Sequence, residues 1–339
     1  MGGRAVLAIV EPGVGSARAV VLDAAGALAE AHIERPGPRP GDLWDARLLR
    51  VDNGRGVVAL GAQEALLEAG APGVALGSLL RVEVSRAAIP GPLRAKRARA
   101  TPTGDAPGSA AGLVRAGPGL AARLRARGLR VEPARAADGL PGWDEALAEA
   151  RLDAAVPFPG GELACALTEA GLVIDVDGHL PPGPLAMAAV PAVAALLARH
   201  GVGGSVLVDF PSLAGKAGRT ALDRALRDAL AATLAGPWAC TAINGFGLVQ
   251  IVLPRVRPSL IDLAVAAPAE LAALELLRAV GRASAAGAYM VLAAPAVIRW
   301  LEARPALLAE AARRAGRPLG LQADPALGIW AGHVHACAP

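Results

Sequence analysis

The stretch from Gly171 to Leu213 constrains this chain most. It reads GLVIDVDGH, then an Ala-rich segment, then GVGGSVLVDFPSL. Gly171–Val176 and Ser205–Phe210 are short runs rich in Val, Ile and Leu, each bounded by Gly or Pro, the pattern of buried strands. Leu185–His200 between them is long and regular enough for a helix. Strand, helix and strand make a parallel βαβ unit with a right-handed crossover. Asp175 and Asp209 fall near the C-terminal ends of the two strands, the end where ligands of open α/β sheets collect. Two carboxylates there suit a hard cation such as Mg²⁺. A lone Asp at a strand end more often just accepts backbone N–H bonds; two in matching places on neighbouring strands favour a site.

The chain has 339 residues, enough for two or three domains. Apolar residues reach 54%, much of it Ala, and aromatics only 3%, so the core is lean and each Trp is notable. A net charge of +4, carried mostly by Arg, permits an acidic partner such as nucleic acid without requiring one. Cys165, Cys240 and Cys337 lie far apart, which argues against a disulfide scaffold, a structural zinc and a zinc-linked tetramer. The apolar run near the N-terminus is too short for a signal peptide. Leu180–Ala198 is uncharged but holds four prolines and reads as a turn plus a buried helix. The expectation is a cytoplasmic protein without a membrane span.

From the N-terminus, Ala5–Val10, Ala17–Asp23 and Leu28–Ile33 read as a β-meander. Leu43–Val51, Arg55–Leu60, Leu79–Ser85 and Arg94–Ala100 are further strands, and about five in some sixty residues suit a small closed barrel of the OB type. Such barrels bind single strands through a basic groove and exposed aromatics. Here Trp44 is the only aromatic, with Arg47, Arg50, Arg94, Lys96, Arg97 and Arg99 supplying charge. Each of these taken alone reads more simply as a solvated outer-face residue. Leu120–Arg130 reads as a helix, and Thr101–Ser109 as a linker. Beyond the βαβ unit, Gly218–Leu234 is helical, and Trp238–Ile243 and Gly247–Leu253 form a hairpin around Asn244-Gly245. The last seventy residues read as helix, strand, broken helix and two strands.

Several short motifs stand in a fixed order. Arg18 precedes an apolar run in Ser16-Ala17-Arg18-Ala19-Val20, and Ile33-Glu34-Arg35-Pro36 follows. Next come the segment from Gly41 through Trp44, Arg47 and Arg50 to Val51, then Ile174-Asp175-Val176-Asp177, then Val208-Asp209-Phe210. Gly247-Leu248-Val249 and Arg257-Pro258-Ser259-Leu260 close the set. In this order the motifs resemble the ribonuclease E/G family, over nearly the whole chain. The resemblance implies an α+β multidomain protein, with an S1/OB-type β-barrel inserted in a mixed α/β catalytic core of ribonuclease H-like and DNase I-like subdomains. It assigns 1–34 to the N-terminal meander of the core, 35–101 to the barrel, and 102–142 to a linker and reduced 5′-end sensor. The catalytic α/β core takes 143–261, and a small α+β C-terminal domain takes 262–339.

The resemblance further implies an endoribonuclease for single-stranded RNA, with Asp175 and Asp209 holding catalytic Mg²⁺ and Asp177 supporting the metal. RNA contacts are expected from Trp44, Arg47, Arg50, Arg94, Lys96, Arg97 and Arg99, and from Arg115, Lys216, Arg219 and Arg255. The chain departs from the family pattern at Val57 and Leu66, where barrel aromatics are usual, and at Gln250 and Ser212, where acidic residues are usual. The alternative reading is an RNA-binding protein of the same fold that has lost catalysis. A third reading, a small-molecule α/β enzyme, lacks any nucleotide or acyl-transfer motif.

Overall fold

The structure is a computed structural model that describes residues 5–135, 139–213, 215–283 and 287–337. Strands β1 (Ala5–Pro12), β2 (Ala17–Asp23) and β3 (Leu28–Glu34) form the expected antiparallel meander. The alternation along β2 sorts its side chains to two cores. Val20 and Leu22 face the large central core, whereas Ala19 and Val21 face a small one with Leu120 and Leu124.

The chain then builds a closed five-stranded barrel from β4 (Leu43–Asp52), β5 (Arg55–Leu60), β6 (Gln63–Leu67), β7 (Leu79–Arg86) and β8 (Ala98–Pro102). Its order is β4-β5-β6-β8-β7, closed by β7 pairing back onto β4, with β6 and β8 parallel. Leu48, Val58, Leu60, Leu67 and Val82 fill it. The expected strand over Arg94–Ala100 begins instead at Ala98, and Lys96 makes only a single bridge to Ile89.

Residues 102–142, expected as linker and reduced sensor, carry regular structure, and 136–138 lie outside the described residues. Strand β9 (Gly112–Arg115) joins the edge of β4. Helix α1 (Leu120–Ala126) covers the outer face of the first sheet, and β10 (Arg130–Pro133) pairs in parallel with β1. The barrel is thus inserted between strands of one sheet. Its two connections cross where Gly117 lies against Gly41. A Cβ on Gly117 would stand 2.6 Å from the Gly41 carbonyl carbon. Buried Asp42 fixes the crossing by accepting from the Gly117 N–H at 2.7 Å and the Arg39 N–H at 2.8 Å.

Helix α2 (Trp143–Ala150) leads to a second sheet with β11 (Val156–Phe158), β12 (Gly161–Leu167), β13 (Leu172–Gly178), β14 (Gly204–Asp209), β15 (Ala239–Cys240) and β16 (Leu248–Leu253). Its order is β11-β12-β13-β14-β16-β15, and only β13 and β14 are parallel. Helix α3 (Pro182–Arg199) makes the crossover between them. Proline at its start costs no intrahelical bond, and Leu185, Val190, Val193 and Leu197 are buried. It is the one helix among the described residues long and apolar enough to cross a membrane; here it packs between the two sheets. Helix α4 (Lys216–Thr233) adds a stripe of Leu222, Leu226 and Leu230 to the same core, the i, i+4 spacing of one helix face.

Helix α5 (Leu260–Ala266) starts at a capping box in which Ser259 and Asp262 satisfy each other's backbone N–H groups. Helix α6 (Pro268–Arg282), β17 (Tyr289–Ala293), α7 (Pro295–Glu302), α8 (Pro305–Ala315), β18 (Leu319–Ala323) and β19 (His333–Ala336) complete the chain. The last three strands form a sheet ordered β18-β17-β19 over its own core. Val14, from the β1–β2 turn, belongs to that core, so the C-terminal unit is seated on the first sheet.

Candidate functional site

Alternation on β13 and β14 sends Ile174, Val176, Val208 and Phe210 into the core and Asp175, Asp177 and Asp209 to solvent. The parallel register sets Asp175 directly beside Asp209, at the ~5 Å spacing of neighbouring strands. Asp177 lies two residues on, on the same face. These are the two strand ends expected to carry the site. Burial raises the pKa of Asp175, and the negative charges of Asp177 and Asp209 raise it further. The three carboxylates therefore interact electrostatically.

Glu162 was not among the sequence-based candidates. It stands opposite Asp177 across the antiparallel β12–β13 pair and faces the same solvent. Its visible signal was the alternation of the strand Glu162–Leu167, which ends in a turn to the Asp-bearing strand. The carboxylates thus run in a row across three strands: Glu162, Asp177, Asp175, Asp209. The row lies on an open sheet face that also exposes Leu207 (37%) and Val252 (46%). The end of the row beside Asp209 is closed by a tight contact. Gly247, at φ +97°, accepts from the Phe210 N–H at 3.2 Å, and a Cβ there would meet the Phe210 carbonyl oxygen. Asn244 shapes the turn by accepting from Phe246 and Leu248.

For a hard cation, the donor set is chemically right: adjacent carboxylate oxygens, open to water and, among the described residues, without a competing cation bonded to them. Asp175 and Asp209 are the pair that would hold it, with Asp177 beside them. Among the described residues, however, no three His, Cys, Asp or Glu side chains converge as a ready-made metal cage. Mg²⁺ binds through one or two carboxylates and keeps several waters, so the pair alone meets its usual requirement.

The expected RNA-binding residues are dispersed, and most are engaged. On the barrel, Arg50 makes a two-pronged bond to Glu64 at 2.7 and 2.9 Å, and Arg97 shares that carboxylate at 3.3 Å. Arg99 pairs with Glu68 at 2.9 Å, and Arg47 donates to the Gly77 carbonyl. Trp44 is half-buried against the barrel core, with its indole N–H sealed from solvent, so it packs more than it displays a ring. Arg115 is exposed on β9.

A second group lies where the barrel meets the second sheet. Arg94 reaches Glu169 at 3.3 Å, in the β12–β13 turn, and Arg255 pairs with Asp262 at 2.6 Å. Burial lowers the pKa of Lys96, and Arg255 lowers it further. This junction is at the end of β13 away from the carboxylate row; Asp175 lies three residues into that strand, roughly 10 Å along it. Lys216 and Arg219 open α4, just after the strand that bears Asp209. Lys216 is exposed, and Arg219 donates to the Leu213 carbonyl at 3.2 Å. The fold therefore joins the three aspartates and distributes the basic residues around them in separate groups. No family model and no curated protein sequence matches the chain.

Proposed function

We propose that this protein is a Mg²⁺-dependent endoribonuclease for single-stranded RNA, built on the plan of the ribonuclease E/G family. The observation that carries the reading is the register of Asp175 beside Asp209 at the C-terminal ends of two parallel strands, with Asp177 next to them. The order of the barrel strands, with β6 parallel to β8, supports an S1/OB-type barrel. The first sheet supports a ribonuclease H-like subdomain, and the six-stranded sheet with α3 and α4 a DNase I-like one.

In this reading Asp175 and Asp209 hold the cation and Asp177 steadies it. A bound Mg²⁺ supplies Lewis-acid stabilisation of the phosphoryl oxygens and a water of lowered pKa. The open sheet face gives an extended strand of RNA a path to the row. Lys216 and Arg219 open α4 soon after Asp209, and they would steady phosphates there. Barrel side chains would hold the strand farther away. With Trp44 packed down and most guanidiniums already paired, binding would be weak and would fall as salt rises.

The test is cleavage of a generic single-stranded RNA by the purified protein, with Mg²⁺ or with chelator, beside the Asp175→Asn, Asp209→Asn and Asp177→Asn variants. Asn keeps the shape and removes the charge, so cleavage should drop at least ~100-fold in the first two. RNA affinity and melting temperature should change little, and Asp177→Asn should be mild. Undiminished cleavage by Asp175→Asn and Asp209→Asn would refute the assignment. The alternative, an RNA-binding protein that has lost catalysis, draws on Val57, Leu66, Gln250 and Ser212, which replace the aromatic and acidic residues of the family pattern; wild-type protein that binds RNA but never cleaves it would establish that case.

A further inference from the structure

A second polar centre lies away from the carboxylate row, where the first sheet, the barrel connections and the loop from β16 to α5 meet. Arg257, in that loop, is half-buried. Among the described residues it has no hydrogen bond and no ion pair. Burial pushes its pKa down to about 10, Arg123 and Arg127 adding to the shift and Glu34 opposing it. The nearby carboxylates are already committed. Glu34 accepts from Arg39 at 2.5 Å and from Arg123 at 2.7 Å. Glu30 takes Arg127 and His32, and Glu149 takes Arg199 and His200.

Arg257 borders a cavity of about 110 Å³ whose polar lining is two guanidinium side chains, Arg123 and Arg257, and two imidazoles, His32 and His200, without a carboxylate. His200 is fully buried; its Nε2 meets Glu149 at 2.7 Å, and its Nδ1 is sealed and without a partner. A half-buried cation without a counter-ion is costly. An anionic ligand in the cavity would supply the counter-ion that Arg257 lacks.

We propose that this cavity is a binding site for a phosphate group, with Arg257 as its principal ligand and Arg123 as a supporting contact. A tetrahedral oxyanion offers acceptors in several directions, which suits donors approaching from both the loop and α1. A guanidinium fork matches phosphate geometry. The phosphate can arrive as the free anion or within a nucleic-acid backbone. The site does not depend on the carboxylate row and stands whether or not that row cleaves RNA.

The test compares melting temperature in inorganic phosphate and in chloride at equal ionic strength, for wild type, Arg257→Gln and Arg257→Lys. Wild type should gain roughly 3 °C near saturation, Arg257→Lys part of that, and Arg257→Gln nothing. In chloride, Arg257→Gln should melt at or slightly above wild type, because the substitution removes a half-buried charge that has no counter-ion. Calorimetric titration with phosphate, repeated in the presence of a 5′-hydroxyl oligouridylate, separates the sources. Competition by the oligomer assigns the site to backbone phosphate, and phosphate binding without competition assigns it to the free anion. The proposal fails if phosphate gives no gain beyond chloride, or the same gain in Arg257→Gln. It also fails if Arg257→Gln melts far below wild type in chloride, which would make Arg257 a structural residue.

Discussion

At Asp175 two effects act in one direction, since burial and two neighbouring negative charges all favour the protonated carboxyl. A raised carboxyl pKa means that the folded state binds this proton more readily than the unfolded chain. The ionised form therefore opposes folding, and the opposition fades as pH falls through the raised pKa. We expect a ¹³C-detected titration to place Asp175 above the ordinary aspartate range and Asp209→Asn to bring it down. Saturating Mg²⁺ should bring it down further in the wild type, because a cation favours the carboxylate. An Asp175 titration insensitive to both would show that the row does not act as a unit. The alternation that exposes these aspartates could be read from the Ile-Asp-Val-Asp pattern, and so could their strand-end placement. The pairing of Arg50 with Glu64 or Arg255 with Asp262 could not, because those partners meet only through the barrel closure and the β16–α5 loop.

Among the elements, α6 shows how far the units depend on one another. Arg18 on β2 is 3% exposed, lies over the ring of Trp143, and bonds both Glu11 and Glu275. Arg278 and Arg282 of α6 reach back to Glu11, and Arg278 donates to Ser16 at 2.8 Å. Burial raises the pKa of Glu275 even with Arg18 and Arg278 beside it. Removing one partner strands the other, so Arg18→Met should cost roughly 3–5 kcal/mol in urea unfolding. Glu275→Gln should cost less, and adding it to Arg18→Met should restore part of the loss. Equal losses in the single variants and no recovery in the double would contradict this coupling.

Elements with strong local signals were legible: Tyr289–Ala293 as a strand, α3, and the break at Pro305 between α7 and α8. Strand β6 was not, because Gln-Glu-Ala-Leu-Leu is built of helix formers and is held extended by β5 and β8 on either side. Strand β10 was missed because four residues carry no periodicity and its partner β1 lies far back in the sequence. Helix α5 did have a signal, the Ser259–Asp262 capping box, hidden in a segment read as a domain end.

For the molecule as a whole, the crossing at Gly41 and Gly117 lets a barrel sit inside another sheet. Gly117→Ala would drive a methyl group into the backbone of Pro40 and Gly41. Such overpacking should cost roughly 1–3 kcal/mol. Gly112→Ala, with open space around it, is the control and should be near neutral. Equal melting temperatures for the two variants would show that the crossing can yield. The ion cluster around Arg18 bears on how the chain is made. Arg18 and Glu275 are 257 positions apart. At a synthesis rate of about 5–20 residues per second, the first of them waits roughly 15–50 s for the second to emerge. All five barrel strands lie within Leu43–Pro102 and can close during that wait. The nascent meander meanwhile presents a guanidinium that has Glu11 but not Glu275, and half of an apolar face, so the N-terminal sheet, first to be synthesised, is among the last parts to be completed.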